Sequence, residues 1–262
     1  MRRFGLLGHP VGHSKSPELF HAQALARSVE DVRYDLFDLA DIDEFPAFIK
    51  RHPDVRGLNV TVPHKQSILP HLCALSESAE AIGAVNVLER VDAGWKGHNT
   101  DAWGFQRSVQ PFLTKHHERA LVLGTGGSAA AVAWVLSKLG IDVVFVSRRP
   151  QSGWLGAGKH PVIAYEDLSP LTLRHHCLVV HCTPLGMAPN VDGLPDIPFD
   201  GLGSNHLVVD LVYNPSTTAL MAQAQAAGAM TLGGADMLRL QAERSWAIWG
   251  ALMRRPKGEG YF

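Results

Sequence analysis

Residues 119–129, RALVLGTGGSA, constrain the possible folds more than any other part of the chain. An apolar run over Arg119–Leu123 has strand character. It passes directly into Gly124-Thr125-Gly126-Gly127-Ser128-Ala129, and a helix is expected over residues 130–139. This is the G-x-G-x-x-A order of a strand, a glycine turn and a helix N-terminus. Gly124 permits the tight turn, and Gly126 lets the backbone approach a pyrophosphate seated on the helix N-terminus. The arrangement belongs to parallel βαβ units, so it commits this part of the chain to an α/β, Rossmann-type domain. A strand expected over residues 143–146 runs into Ser147-Arg148-Arg149. A free ribose 2′-hydroxyl calls for an acid about 20 residues beyond the first glycine. Here a serine and two arginines stand instead. Guanidinium pairs bidentately with phosphate, so the sequence points to a 2′-phosphate and to NADP. A basic surface turn is the plainer alternative.

A second stretch, GLNVTVPHK at residues 57–65, carries separate chemistry. Leu58, Val60 and Val62 alternate with Asn59 and Thr61, which reads as a short strand with both polar residues on one face. Pro63 ends the pairing because it has no N–H to donate. Lys65 then lies just past the carboxyl end of the strand, where open α/β sheets hold ligands. A solvated lysine after an edge strand is the bland alternative. A second polar cluster, Asn99-Thr100-Asp101, opens a helix expected over residues 102–109. There Asp101 is a common helix cap that is also free to face a site.

The remaining segments alternate in type, which gives an α/β class with parallel sheets. Strands are expected at 4–7, 32–37, 84–88, 178–181 and 207–211, with a hairpin arm at 95–98 after Asp92-Ala93-Gly94. Helical segments are expected at 42–49, 67–75, 77–82, 216–227 and 235–254, and 151–160 reads as a surface loop. Pro17 suits the first turn of a helix capped by Ser16. Ser14 and Ser16 are either capping residues or hydroxyls able to bind a polyol or carboxylate. Asn86, in an otherwise apolar run, is either a structural hydrogen bonder or a ligand contact.

Composition excludes several classes. A length of 262 residues suits one large domain or two modest ones, and the net charge of −1 without a basic block gives no nucleic acid partner. Three cysteines without a C-x-x-C pair make no disulfide framework, so a cytoplasmic protein is expected. The 14 histidines are scattered, and the adjacent pairs His116-His117 and His175-His176 point apart, so no metal is expected. The apolar run at the N-terminus is broken by Gly8-His9-Pro10, and no segment approaches the roughly 20 apolar residues of a membrane span.

Several motifs then coincide in order: S-K-S-P from Ser14, N-V-T-V-P-x-K from Asn59, G-A-V-N from Gly83, N-T-D from Asn99, G-T-G-G from Gly124, T-P-x-G-M from Thr183, D-x-x-Y-N-P from Asp210 and M-L-x-x-Q-A from Met237. Together they resemble the shikimate dehydrogenase family over nearly the whole chain. The resemblance implies a substrate domain of residues 1–101 plus 236–262, an NADP domain of residues 102–235, and an active-site cleft between them. It implies NADPH-dependent reduction of 3-dehydroshikimate to shikimate, a step of chorismate and aromatic amino acid biosynthesis, by a monomer or homodimer. Lys65 and Asp101 match the catalytic pair. Ser14, Ser16, Asn59, Thr61, Asn86, Tyr213 and Gln241 match the other positions that hold the substrate's carboxylate and hydroxyls. Gly124, Thr125, Gly126, Gly127 and Ser128 match the phosphate turn, and Ser147, Arg148 and Arg149 the grip on the adenosine phosphate. Glu77, Thr183, Met187, Leu211 and Gly234 match residues on the cofactor or nicotinamide side.

The chain departs from the family pattern in three places. His181-Cys182-Thr183 stands where Asn-Ala/Thr-Thr is frequent, Arg149 follows Arg148 where Thr is common, and Gly233 replaces an acidic or polar residue. Lys65 is expected either to donate the proton or to orient the substrate electrostatically. Two other readings remain. One is a quinate/shikimate dehydrogenase or an amino-substituted relative. The other is a ligand sensor on the same scaffold, which would be expected to lose Lys65 or Asp101.

Overall fold

Two sheets form, and only the second is the parallel sheet that the alternation of elements implied. A computed structural model describes residues 1–12, 14–150, 154–155 and 159–253, with the side chains at 154, 155 and 251–253 excepted. Residues 151–153 and 156–158 of the expected surface loop, and Arg254 at the expected end of the last helix, lie outside the described residues. Chain contacts divide the protein into two units. Met1–Glu80, Val85–Thr100 and the chain from Ala242 make the first; Ala81–Ala84 and Asp101–Gln241 make the second.

The first unit contains β1 (Arg2–Gly8), α1 (Ser16–Ala26), β2 (Val32–Asp38), α2 (Phe45–Arg51), β3 (Val55–Val60), β4 (Ala74–Leu75), the start of α3 (Glu77–Ile82), β5 (Val87–Val91) and β6 (Gly94–His98). Its sheet has the order β2-β1-β3-β5-β6-β4. β1 is parallel to β2 and β3, whereas β5 is antiparallel to both β3 and β6, so the sheet is mixed. The reversal comes from the Asp92-Ala93-Gly94 turn, which forces a hairpin.

Side chains alternate between the two faces of this sheet, as a period of two requires. Leu7, Phe37, Leu58, Val60 and Leu88 share one buried cluster. Phe4, Leu6, Tyr34 and Val87 share another with Trp246 and Trp249. Asn59 sits between Leu58 and Val60 and therefore points to the tryptophan side. Gly57 faces the same way, since a Cβ there would lie 2.5 Å from the Trp249 indole nitrogen.

Local boundaries differ from the sequence reading for definite reasons. β3 ends at Val60, two residues early, although the Thr61 N–H still donates to the Leu7 carbonyl at 2.9 Å. α1 starts at Ser16 with Lys15 in the cap position, because the Ser14 Oγ takes the Ser16 N–H at 3.1 Å. β5 starts at Val87, leaving Asn86 just ahead of it. Residues 67–75 form a short 3-10 turn at Leu69–His71 followed by β4, not a longer helix.

The second unit contains α4 (Asp101–Val109), β7 (Arg119–Leu123), α5 (Gly127–Lys138), β8 (Asp142–Ser147), β9 (Trp154–Leu155), β10 (His160–Ala164), α6 (Pro170–His175), β11 (Leu178–His181), β12 (Leu207–Asp210), α7 (Ala219–Ala226), β13 (Met230–Gly233) and the start of α8 (Ala235–Met253). The sheet order is β13-β12-β11-β7-β8-β10-β9, and only the β9–β10 pairing is antiparallel. The sequence reading missed β9, which lies within the expected surface loop, and also β10, α6 and β13. Each is too short to show a period. It also started α7 too early: Thr218, not Ser216, caps that helix by accepting the Met221 N–H at 3.2 Å.

Candidate active site

The registers of the second sheet set Val146, Leu123, His181, Asp210 and Gly233 level at the carboxyl ends of five adjacent strands. The residues that follow in each strand are therefore Ser147, Gly124, Cys182, Leu211 and Gly234. The chain enters the sheet at β7 and builds outward on both sides, so this row is the topological switch point where α/β sheets bind ligands. Gly124 has φ +107°, a left-handed value that favours glycine, and a Cβ there would press on the Thr183 Cγ2 at 2.9 Å.

Gly126 is exposed and caps α5, with Gly127 opening the helix and Thr125 and Ser128 half-buried beside it. A Cβ at Gly126 would meet nothing within 4 Å, so the space outside the helix N-terminus is open to a ligand. A helix N-terminus attracts anions. Ser147 Oγ accepts the Arg149 N–H at 3.2 Å, and both Arg148 and Arg149 are exposed. Burial pushes the Tyr165 phenol up to about 12, and the nearby Arg148 guanidinium pulls it the other way. These donors fit a dinucleotide bearing a further phosphate.

Beside the turn lies a buried network that sequence reasoning did not find. His181 and Asp210 are both fully buried register partners, and His181 Nδ1 lies 3.0 Å from Asp210 Oδ1. A carboxylate only accepts, so Nδ1 carries the proton and Nε2 accepts in the neutral ring. The Thr183 hydroxyl, 2.5 Å from Nε2, is then the donor. Asp210 also accepts from the Val212 N–H at 3.0 Å and the Thr218 hydroxyl at 2.6 Å. The Thr183 hydroxyl thus turns inward, and its methyl faces Gly124. Leu211 donates its N–H to the His181 carbonyl at 3.0 Å, while Met187 is exposed on the loop after Thr183.

Gly234 is in place for packing. A Cβ there would come 2.1 Å from the Leu211 carbonyl oxygen, with backbone on the other side of the contact. Gly234→Ala is expected to destabilise the protein by about 1–3 kcal/mol or more, since backbone must shift to admit the methyl. Thermal unfolding checks this, and an unchanged midpoint would contradict it.

Asp101 is buried as the first residue of α4. Gly104 brings this helix close to α8, because a Cβ there would meet the Met237 carbonyl at 2.8 Å and the Gln241 Cβ at 3.1 Å. Asp101 and Gln241 are thereby held on two tightly packed helices. Tyr213 follows β12 and is half-buried.

In the first unit, Thr61 and Lys65 follow β3. Lys65 is half-buried in a turn held from both sides. The His64 ring is buried, with Nε2 2.6 Å from the Leu39 carbonyl, and the Ile68 N–H bonds the His64 carbonyl at 3.0 Å. The Lys65 carbonyl accepts the Val85 N–H at 2.7 Å. Asn86 grips the residue ahead of Asp101: its Oδ1 accepts the Thr100 N–H at 2.7 Å and its Nδ2 donates to the Thr100 Oγ1 at 2.9 Å. The structural half of the Asn86 alternative is thus visible.

Ser14 and Ser16 form one hydrogen-bonded pair, and Asn59 belongs to a second hydrogen-bonded group. Ser14 Oγ donates to Ser16 Oγ at 3.0 Å, and Asn59 Nδ2 donates to Ser245 Oγ at 3.2 Å. Tyr34 joins the Asn59 group, its hydroxyl donating to Asn59 Oδ1 at 2.7 Å. Burial holds the Tyr34 phenol far above its usual range, with the Ser16 side chain pulling the other way. Neither Tyr34 nor Ser245 was identified from sequence. Glu77 is exposed at the start of α3. Among the described residues no His/Cys/Asp/Glu group is arranged to hold a metal, and no helix is long and apolar enough to cross a membrane.

The profile of the family described as shikimate dehydrogenase substrate binding domain matches residues 6–88. The shikimate dehydrogenase (NADP(+)) of Moorella thermoacetica is 38% identical over 257 residues, covering 93% of this chain and 86% of that one. A solved shikimate 5-dehydrogenase from Thermus thermophilus, in complex with NADP(H) and shikimate, matches with a TM-score of 0.81 at 32% identity, covering 98% of this chain and 97% of that one. A quinate dehydrogenase from Corynebacterium glutamicum in complex with NAD matches with a TM-score of 0.81 at 26% identity, covering 96% and 94% of the two chains.

Proposed function

The chain belongs to the shikimate dehydrogenase family, and from that premise we propose that Lys65 and Asp101 handle the proton of its reaction. The protein is an NADP-dependent oxidoreductase that interconverts 3-dehydroshikimate and shikimate. We assign residues 1–101 with 236–262 to substrate binding and residues 102–235 to the cofactor. The first unit carries the Ser14–Ser16 hydroxyl pair and the Asn59 amide, and the second carries the glycine turn.

The observation that carries the assignment of roles is the Lys65 turn. It presents one lysine at the carboxyl end of β3, in a short loop fixed by buried His64 and Ile68. Reduction of a ketone needs a hydride at carbon and a proton at oxygen. Bound NADPH supplies the hydride. The Lys65 ammonium donates to the carbonyl oxygen, and the Asp101 carboxylate orients the ammonium. In the oxidising direction Lys65 receives the hydroxyl proton. Ser14, Ser16, Asn59, Thr61, Asn86, Tyr213 and Gln241 hold the substrate's carboxylate and hydroxyls. The amides of Gly124 to Ser128 hold the pyrophosphate, Arg148 with Ser147 and Arg149 grips the 2′-phosphate, and Thr183, Met187, Leu211, Gly234 and Glu77 border the nicotinamide side.

The test crosses two substrates with two cofactors: shikimate or quinate, each with NADP or NAD, for the wild type and Arg148→Ala. Wild-type turnover is expected with shikimate and NADP. Arg148→Ala should raise the NADP KM by about tenfold or more and leave the NAD KM nearly unchanged, because only NADP carries the phosphate that a charged hydrogen bond of about 1.5–3 kcal/mol would hold. Equal losses for both cofactors would remove Arg148 from phosphate reading. Comparable wild-type turnover with quinate and NAD would move the protein to a dual-specificity reading.

A further inference from the structure

We infer that His181, held by Asp210, is a positioning residue for hydride transfer: it fixes the Thr183 hydroxyl, and through it the loop that carries Met187. This role rests on the proposed placing of Thr183, Met187 and Leu211 beside the nicotinamide. β11 and β12 pair in parallel as far as His181 and Asp210, and the Leu211 N–H adds one more bond, to the His181 carbonyl at 3.0 Å. Past that bond both strands turn into loops. His181 and Asp210 are the side chains at the base of the two loops.

The bonds at this base run in one direction. The Thr183 Oγ accepts the Leu185 N–H at 3.3 Å, and its own proton goes to His181 Nε2 at 2.5 Å. Nδ1–H then points to Asp210 Oδ1 at 3.0 Å. Asp210 is fixed in turn by donors from its own loop, the Val212 N–H at 3.0 Å and the Thr218 hydroxyl at 2.6 Å. The order is therefore Leu185 to Thr183 to His181 to Asp210. His181 and Asp210 are fully buried, so neither can exchange its partner for solvent.

The far end of the loop is tied as well. The Met187 N–H bonds the Pro184 carbonyl at 3.2 Å, and the Ala188 N–H bonds the Asn214 carbonyl at 2.9 Å. Residues 183–188 are thus held at their start by His181 and at their end by the chain that follows β12. Met187 and Leu211 lie on the two segments so joined. Displacing reacting groups by about 1 Å can cost about 10²-fold in rate, so a residue that sets this loop acts on hydride transfer without touching the cofactor. The link depends on the imidazole. Asparagine, frequent at this position in the family, can match Nδ1 but falls short of Nε2, because its amide branches at Cγ.

The test is a double-mutant cycle on His181→Asn and Thr183→Val, read as the single-turnover rate of NADPH oxidation by 3-dehydroshikimate at saturating NADPH. His181→Asn keeps a donor for Asp210 and loses Thr183. Thr183→Val keeps the shape and the buried pair but loses the hydroxyl. Each is expected to slow hydride transfer about tenfold, and the double variant should be little slower than either, because both break the same link. The KM for 3-dehydroshikimate should stay within about twofold. Thr183→Ser restores the hydroxyl and should be several-fold faster than Thr183→Val. Additive losses, an unchanged rate in Thr183→Val, or a serine variant as slow as the valine one would overturn the inference. Thr183→Val and Thr183→Ser leave the buried pair intact, so the comparison remains readable if His181→Asn folds poorly. Wild-type turnover separates the two failures: without it the functional reading falls, and the link is then read by amide hydrogen exchange at Leu185. Protection there should drop in Thr183→Val and persist in Thr183→Ser, and equal exchange in both would overturn the link itself.

Discussion

Lys65→Ala lowers kcat for 3-dehydroshikimate reduction by about 10²–10⁴, the range for loss of a positioned acid–base group. The fold should survive the change. Alanine retains the Lys65 carbonyl, which accepts the Val85 N–H at 2.7 Å. The turn is anchored by its neighbours, since His64 and Ile68 are buried. Thermal unfolding should therefore move little while turnover collapses. Lys65→Arg then separates two mechanisms. Guanidinium keeps the charge but does not give up a proton at accessible pH. If Lys65 donates the proton itself, the arginine variant is as impaired as the alanine one. If Lys65 acts by charge and orientation, arginine recovers a substantial part of the loss. Near-wild-type turnover in Lys65→Ala removes the residue from the mechanism.

Much of this site was legible because its signals are local. Gly124 to Ala129 lie between a strand and a helix in a few consecutive residues, and the resulting turn forms as the spacing implies. Alternation around Asn59 correctly set its side chain against Leu58 and Val60. What alternation could not give was the partner on that face. Tyr34 reaches Asn59 because β1 lies between β2 and β3, a register that joins residues far apart in sequence. Read alone, Tyr34 is one more aromatic in a half-buried strand, and Ser245 one small polar residue in the final helix. Ser16 shows a different limit. It obeys the composition rule for a helix cap, yet the neighbouring Ser14 hydroxyl takes its N–H and Lys15 stands in the cap position. The antiparallel β5 was half legible: its hairpin with β6 is marked by Asp92-Ala93-Gly94, but its pairing with β3 is not.

Asp210→Ala is expected to destabilise the protein by about 3–5 kcal/mol, the penalty for removing one partner of a buried charged network. Asp210 and His181 are fully buried. The substitution leaves the His181 Nδ1–H, the Val212 N–H and the Thr218 hydroxyl without their acceptor, and each stranded donor costs about 1–3 kcal/mol before relaxation. At about 2–4 °C per kcal/mol for a protein of this size class, the thermal midpoint should fall by roughly 6–20 °C. The loss should also be felt at the cofactor turn. Without Asp210 to hold the proton on Nδ1, the His181 ring can adopt the other tautomer and lose the Thr183 donor at Nε2. Thr183 then loses the bond that turns its methyl toward Gly124, so the NADP KM should rise together with the fall in stability. Asp210→Asn should lie between the two proteins, because its one oxygen can still accept while its amide hydrogens oppose the remaining donors. A midpoint within about 2 °C of the wild type for Asp210→Ala would mean that the network relaxes at little cost and does not organise the loop.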